Sequence, residues 1–172
     1  MTSPSYFAEY LPPFLKAMHN VNRELRYWLN TRSRLTDAMP ITAEWINHLE
    51  EEQEWADIVQ SFTSRFGRLQ DLMSKQLFRS LILLEGGEAE SLIDILNLME
   101  KRGILEKVFD WQTLIKLRNE LTHEYFDDHQ RMAEAINATY AAADVLENIV
   151  LNCREYAINH LHIEADEINA NT

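Results

Sequence analysis

A single cysteine, Cys153, four glycines and four prolines are all that 172 residues contain of three structure-punctuating types. A lone thiol excludes an internal disulfide framework and any thiolate metal cluster built within one chain. So few turn-formers argue against a many-stranded β fold and for long helices joined by few loops. Long hydrophobic runs are missing as well: the apolar stretches at residues 80–84 and 145–151 are too short or too interrupted to span a bilayer. The opening Met1-Thr2-Ser3-Pro4-Ser5 lacks the basic segment and apolar run of a secretory signal. A cytoplasmic protein without a membrane partner is the expectation. Cations are scarce too, with 16 Lys and Arg against 28 Asp and Glu, a formal net charge of −12. Such a balance excludes a broad electrostatic grip on nucleic-acid phosphates, so any nucleic-acid chemistry must be local.

Against these scarcities stands an ordinary supply of core-forming residues, 46% hydrophobic, which fits one domain of common size. Charge is unevenly spread. Acids concentrate in Glu50-Glu51-Glu52 with Glu54, in Asp127-Asp128, and in Glu164, Asp166 and Glu167, whereas Phe62 to Ile82 carries Arg65, Arg68, Lys75 and Arg79 against Asp71 alone. Apolar residues recur at helical spacing. Pro12-Pro13 opens a first helix through Phe14, Met18, Val21, Leu25 and Trp28, which ends before Met39-Pro40. Thr42 starts a second, and a long central helix runs from Trp55 to Leu84, closed by Gly86-Gly87. Gly103 stops a shorter one, Asp110 is an N-cap for the helix carrying Leu114 to Leu121, and Asp127-Asp128 cap a last helix from His129 to about His160. The predicted architecture is an all-α, up-and-down helical bundle at residues 46–162, with an N-terminal helical arm at 1–45 and a disordered tail at 163–172. The arm's aromatic load, Tyr6, Phe7, Tyr10, Phe14, Tyr27 and Trp28, requires burial against its own bundle or a second chain.

One segment concentrates chemistry: Leu117-Arg118-Asn119-Glu120-Leu121-Thr122-His123-Glu124-Tyr125. On a helix Asn119 and His123 share a side, and Arg118 and His123 lie about 140° apart, so a joint site needs the reach of Arg or a second helix facing the first. A two-fold dimer would supply that helix. Histidine exchanges protons near neutral pH, arginine holds phosphate oxygens through paired hydrogen bonds, and Asn can orient an imidazole or a phosphate. These are the parts needed to cleave RNA without a metal or cofactor, with the ribose 2′-hydroxyl as internal nucleophile. A structural alternative pairs Arg118 with Glu124 or Asp128 and sets His123 at the negative end of the helix dipole.

Arg118-Asn119 followed by His123 resembles the R-N-x-x-x-H pattern of HEPN domains, and Tyr125 extends it to the R-x4-H-x-Y form of the HepT-like toxins paired with minimal nucleotidyltransferase antitoxins. The resemblance covers roughly residues 50 to 160, through residues 64–71, 93–97, 103–105 and Asp110-Trp111. It implies a homodimeric bundle with facing motif helices and a metal-independent ribonuclease in which Arg118 and His123 are catalytic and Asn119 assists. It also implies that a cognate minimal nucleotidyltransferase silences the toxin by attaching AMP to Tyr125. Arg65, Arg68 and Lys75 are candidate RNA contacts, Arg65 and Arg68 alternatively pairing with the acids near Glu51. Two rival readings remain: a non-catalytic substrate-binding or partner subunit of a nucleotidyltransferase, and a helical dimerisation module without a site. His160 and His162 diverge on a helix and do not predict a metal site, and Cys153 reads as a small buried hydrophobe.

Overall fold

The computed structural model describes residues 5–122 and 128–170, and every regular element among them is helical. Leu11–Ser33 form α1, with prolines in the first turn, where a missing N–H costs nothing. Ala43–Asn47 form the short α2, capped by the Thr42 hydroxyl, which accepts from the Trp45 N–H at 3.1 Å. Gln53–Asp71 form α3, which runs through a π-helical segment, Leu72–Phe78, into α4, Arg79–Leu84. The expected long central helix is therefore present with a wider turn inside it. Its apolar positions explain the widening. Leu69, Met73, Leu77 and Leu81 are fully buried and recur every four residues. On a regular α-helix each such step would rotate the stripe by about 40°, so a wider turn holds it on the core.

Leu92–Lys101 form α5, opened by a reciprocal capping box between Ser91 and Asp94. Val108–Thr122 form α6, His129–Ala141 α7, Ala143–Asn159 α8 and Ala165–Ala170 α9. Two glycines end helices in left-handed conformations, Gly86 at φ 76° and Gly103 at φ 71°. After each, the paired reverse hydrogen bonds of a Schellman closure form: Gly87 to Ile82 and Gly86 to Leu83, then Ile104 to Met99 and Gly103 to Glu100.

The first helix belongs to the bundle. Phe14, Met18, Val21 and Trp28 are fully buried, and Trp28 packs on Phe62 and Phe66 of α3 with ring centroids 5.5 and 5.9 Å away. Each such side chain contributes about 1.5–3 kcal/mol by burial, so α1 is core and not an appendage. The chain itself thus covers Phe14 and Trp28 fully and Tyr6 and Tyr10 in part, whereas Phe7 and Tyr27 are exposed. Ahead of α1, the Phe7 N–H donates to Leu84 O at 2.8 Å and the Phe7 ring covers Gly86. Residues 163–172, expected to be a disordered tail, instead carry α9, because Ile163 and Ile168 are apolar enough to be buried on the bundle.

Two helix boundaries differ from the sequence expectation, each because a distant side chain intervenes. α6 begins at Val108, not after Asp110, since the Glu100 carboxylate of α5 accepts the Val108 N–H at 2.6 Å. The last helix is two helices. Arg32 of α1 donates through Nε to Tyr140 O at 2.7 Å and lies 3.8 Å from the Tyr140 ring centroid, taking the carbonyl that residue 144 would bond in a continuous helix. At the other end of α7, Asp128 serves as the expected N-cap, accepting from the Arg131 N–H at 3.0 Å.

If α1 is core, Trp28→Ala lowers the unfolding free energy by about 3–5 kcal/mol. Urea denaturation followed by circular dichroism reads the change, and a loss below about 1 kcal/mol would place α1 outside the cooperative unit.

Candidate functional site

The chemistry-bearing end of α6 is held against α3 by a glycine and a carboxylate. Gly67 is buried, and a Cβ added there would lie 3.3 Å from Arg118 Nε, so the absent side chain is the notch through which the Arg118 stem passes. One turn further along α3, Asp71 receives both ends of the guanidinium. Arg118 donates through Nη1 to Oδ1 at 2.8 Å and through Nη2 to Oδ2 at 3.1 Å. Such a two-point pair fixes the plane of the guanidinium as well as its position. Lys75, one turn beyond, reaches the same Oδ1 at 3.0 Å. One carboxylate therefore serves two cations, and the local sum is positive. The hydrogen bonds from Arg118, with those from Lys75, hold the Asp71 carboxyl below its ordinary value of 3.8 in spite of partial burial.

A second tie lies beneath the first. Gln70 is buried and donates through Nε2 to Leu114 O at 2.8 Å, so the register of α6 on α3 is set by adjacent residues of one helix. The Arg118 side chain keeps 33% of its surface exposed. It is oriented by protein and still open to a ligand. Asn119 is exposed on the next position of α6, and the Thr122 hydroxyl folds back onto Arg118 O at 2.9 Å. Glu120 lies 3.6 Å from Arg131 of α7, which offsets part of the acid flank around the site.

Of the residues singled out in the sequence, Arg118 and Lys75 are brought together on Asp71, while Arg65 and Arg68 converge on Glu24. Arg65 Nη1 stands 3.1 Å and Arg68 Nε 3.4 Å from opposite oxygens of that buried carboxylate, and Arg65 also stacks on Tyr27. Neither arginine turns to the acids near Glu51. Nor does Arg118 pair with Asp128, which is occupied in capping α7. His123, Glu124 and Tyr125 lie outside the described residues.

A scan against protein-family models finds no match, and searches of curated proteins and of solved structures also return none. No helix among the described residues is long and apolar enough to cross a membrane. Among the same residues no group of three or more His, Cys, Asp or Glu side chains is placed to hold a metal ion.

Sequence reasoning passed over Asp71 and Gly67 as parts of the site. Two signals were present: a glycine in the middle of a strongly amphipathic helix, and a single acid in an otherwise basic stretch. Cys153 is fully buried, and burial together with the nearby Glu85 carboxylate pushes its thiol up to about 12. The same carboxylate accepts the Tyr156 hydroxyl and pairs with Arg102, and burial first and this acid second raise the Tyr156 phenol to about 12. This cluster joins the ends of α4, α5 and α8.

Because the folded-state pKa of Asp71 is depressed, its pairing adds stability above the unfolded value and loses it as pH falls through the folded one. Asp71→Asn is thus expected to lower the melting temperature at pH 7, with the gap to the parent protein closing as pH drops below about 4. A gap independent of pH would remove the ion pair as its cause. For Cys153, a colorimetric disulfide reagent at pH 8 is expected to leave the native protein unlabelled and to react once urea unfolds it.

Proposed function

We propose that the chain is the toxin subunit of a HEPN-type toxin–antitoxin pair, a metal-independent endoribonuclease acting in the cytoplasm as a homodimer and silenced when a partner nucleotidyltransferase adenylylates Tyr125. The observation that carries this reading is the Arg118 guanidinium, preoriented on Asp71 over the Gly67 notch and one-third exposed, in a chain that carries His123 five residues later in sequence.

In this reading Arg118 donates to the non-bridging oxygens of the scissile phosphate and stabilises the charge that builds as five bonds form at phosphorus. His123 takes the proton of the ribose 2′-hydroxyl while its oxygen attacks the adjacent phosphorus. The 5′-oxygen of the next nucleotide leaves, protonated by the imidazolium of the second copy's His123. The products are a 2′,3′-cyclic phosphate and a 5′-hydroxyl end, and one proton is moved for each bond broken. Asn119, exposed beside Arg118, orients the phosphate or the imidazole. Adenylylation of Tyr125 places a phosphodiester beside the site and opposes the substrate by charge and bulk. Arg65, Arg68 and Lys75, whose side chains are 38%, 65% and 72% exposed, would meet the flanking phosphates in this reading.

A second reading is favoured by the same ion pair together with the net charge of −12: Arg118 already has both ends of its guanidinium on a carboxylate in a strongly acidic protein. It makes the chain a non-catalytic substrate-binding or partner subunit of a minimal nucleotidyltransferase.

The two readings part in one assay. Purified protein given RNA in EDTA is expected to cleave it, and Arg118→Ala and His123→Ala each to slow cleavage by about 10²–10⁴-fold. Equal cleavage by parent and variants, or none by the parent, would overturn the ribonuclease. For regulation, incubation with a cognate nucleotidyltransferase and ATP is expected to add adenylyl mass that Tyr125→Phe abolishes. Undiminished addition to that variant would reject Tyr125 as acceptor.

A further inference from the structure

Three carboxylates of the bundle, from buried to one-third exposed, are met by cations: Glu24 by Arg65 and Arg68, Asp71 by Arg118 and Lys75, Glu85 by Arg102. One stretch of sequence offers its acids no cation nearby in the chain. Between Arg34 and Arg65 the chain has no Lys or Arg at all, yet it carries seven acids, Asp37, Glu44, Glu50, Glu51, Glu52, Glu54 and Asp57. Two of these, Glu44 and Glu52, line a 420 Å³ cavity open to solvent, whose other walls are Thr42, Trp45, His48, Leu49 and Trp55. The indoles of Trp45 and Trp55 meet edge to face, centroids 5.5 Å apart and planes 72° apart, so they form a corner and not a flat stack. Neither the Glu44 nor the Glu52 carboxylate has a hydrogen-bond or ion-pair partner among the described residues.

We propose that this corner is a binding site for an organic cation, an alkylated ammonium or guanidinium head. The indole ring has the most negative aromatic face and attracts a cation within about 6 Å of its centroid, more strongly as the cation is desolvated. The carboxylates supply the charge opposite to that of the ligand, and the surrounding sequence has no Lys or Arg to compete for them. His48 adds direction: its Nδ1 lies 2.8 Å from Glu44 O, a carbonyl that can only accept, so the neutral ring carries its proton there and presents Nε2 as an acceptor. The cavity volume falls within the range of small-ligand sites.

The walls are also held in place before any ligand arrives. Thr42 caps α2, and Asn137 of α7 grips Ile41 from both sides, its Oδ1 accepting the Ile41 N–H at 2.8 Å and its Nδ2 donating to Ile41 O at 2.9 Å. Trp45 rides on α2 and Trp55 on α3, so the corner joins two anchored elements. A rigid aromatic corner gains affinity by sparing the entropy of ordering. The site is independent of the ribonuclease reading, since none of its residues takes part in that chemistry.

Tryptophan fluorescence tests it selectively, because Trp28 and Trp111 are 0% and 1% exposed and insensitive to a surface ligand, leaving Trp45 and Trp55 as reporters. Titration with choline, with its neutral isostere 3,3-dimethylbutan-1-ol and with N-acetylarginine amide, at constant ionic strength, separates charge from shape and a free ammonium from a protein-borne guanidinium. A saturable change with either cation is expected, with binding about tenfold weaker for the neutral isostere and for the exposed double variant Glu44→Gln, Glu52→Gln. Preference for choline assigns a small ammonium ligand, and preference for the arginine derivative assigns a side chain of a protein partner. Equal binding of the isostere, an unaffected double variant, or no saturation with either cation would overturn the proposal.

Discussion

The stack of Trp28 against Phe62 and Phe66 is the contact on which the remaining geometry depends. It presses α1 along α3 and places Glu24 under Arg65 and Arg68, so the buried carboxylate is compensated from the helix that its own neighbours cover. With one side of α3 committed to α1, α6 lies against α3 at Gly67, Gln70 and Asp71. Hydrophobic packing sets the spine, and polar contacts then select one register on it.

Directed polar contacts of this kind cost little when both partners are satisfied and much when one is orphaned. The paired acids follow that rule, although among the described residues the buried His19 Nδ1, Trp28 Nε1, Gln70 Oε1 and Thr139 Oγ1 have no hydrogen-bond partner. Arg118 and Lys75 share Asp71, and Arg102 and Tyr156 share Glu85, so each of these acids answers two donors. The two cations on Asp71 and the acids without a neighbouring Lys or Arg around Trp45 and Trp55 are two places where charge of one sign locally exceeds the other.

Much of the fold was legible in the sequence because its signals are local. Apolar rhythm locates the core face of α1 and α3, and Thr42, Gly86, Gly103 and Asp128 mark helix ends through interactions spanning a few residues. What escaped was encoded at long range. Glu100 moves the start of α6, the burial of Ile163 and Ile168 orders the C-terminal end, and a four-residue apolar repeat calls for a π segment that a fixed 3.6-residue template cannot represent. For the site, the motif residues were visible by type, but the partner of Arg118 was sought among Glu124 and Asp128 because they are near in sequence, whereas Asp71 is near in space. No cap or spacing rule connects residues of two helices that far apart.

The capture of Tyr140 O by Arg32 has a kinetic side. The two residues are 108 positions apart, and the break between α7 and α8 coincides with that carbonyl being taken by another helix. Within isolated α7–α8, the run Ala141-Ala142-Ala143 is a strong helix former and favours one straight rod. A break held by this contact forms together with a long loop closure, which places it among the late events of folding.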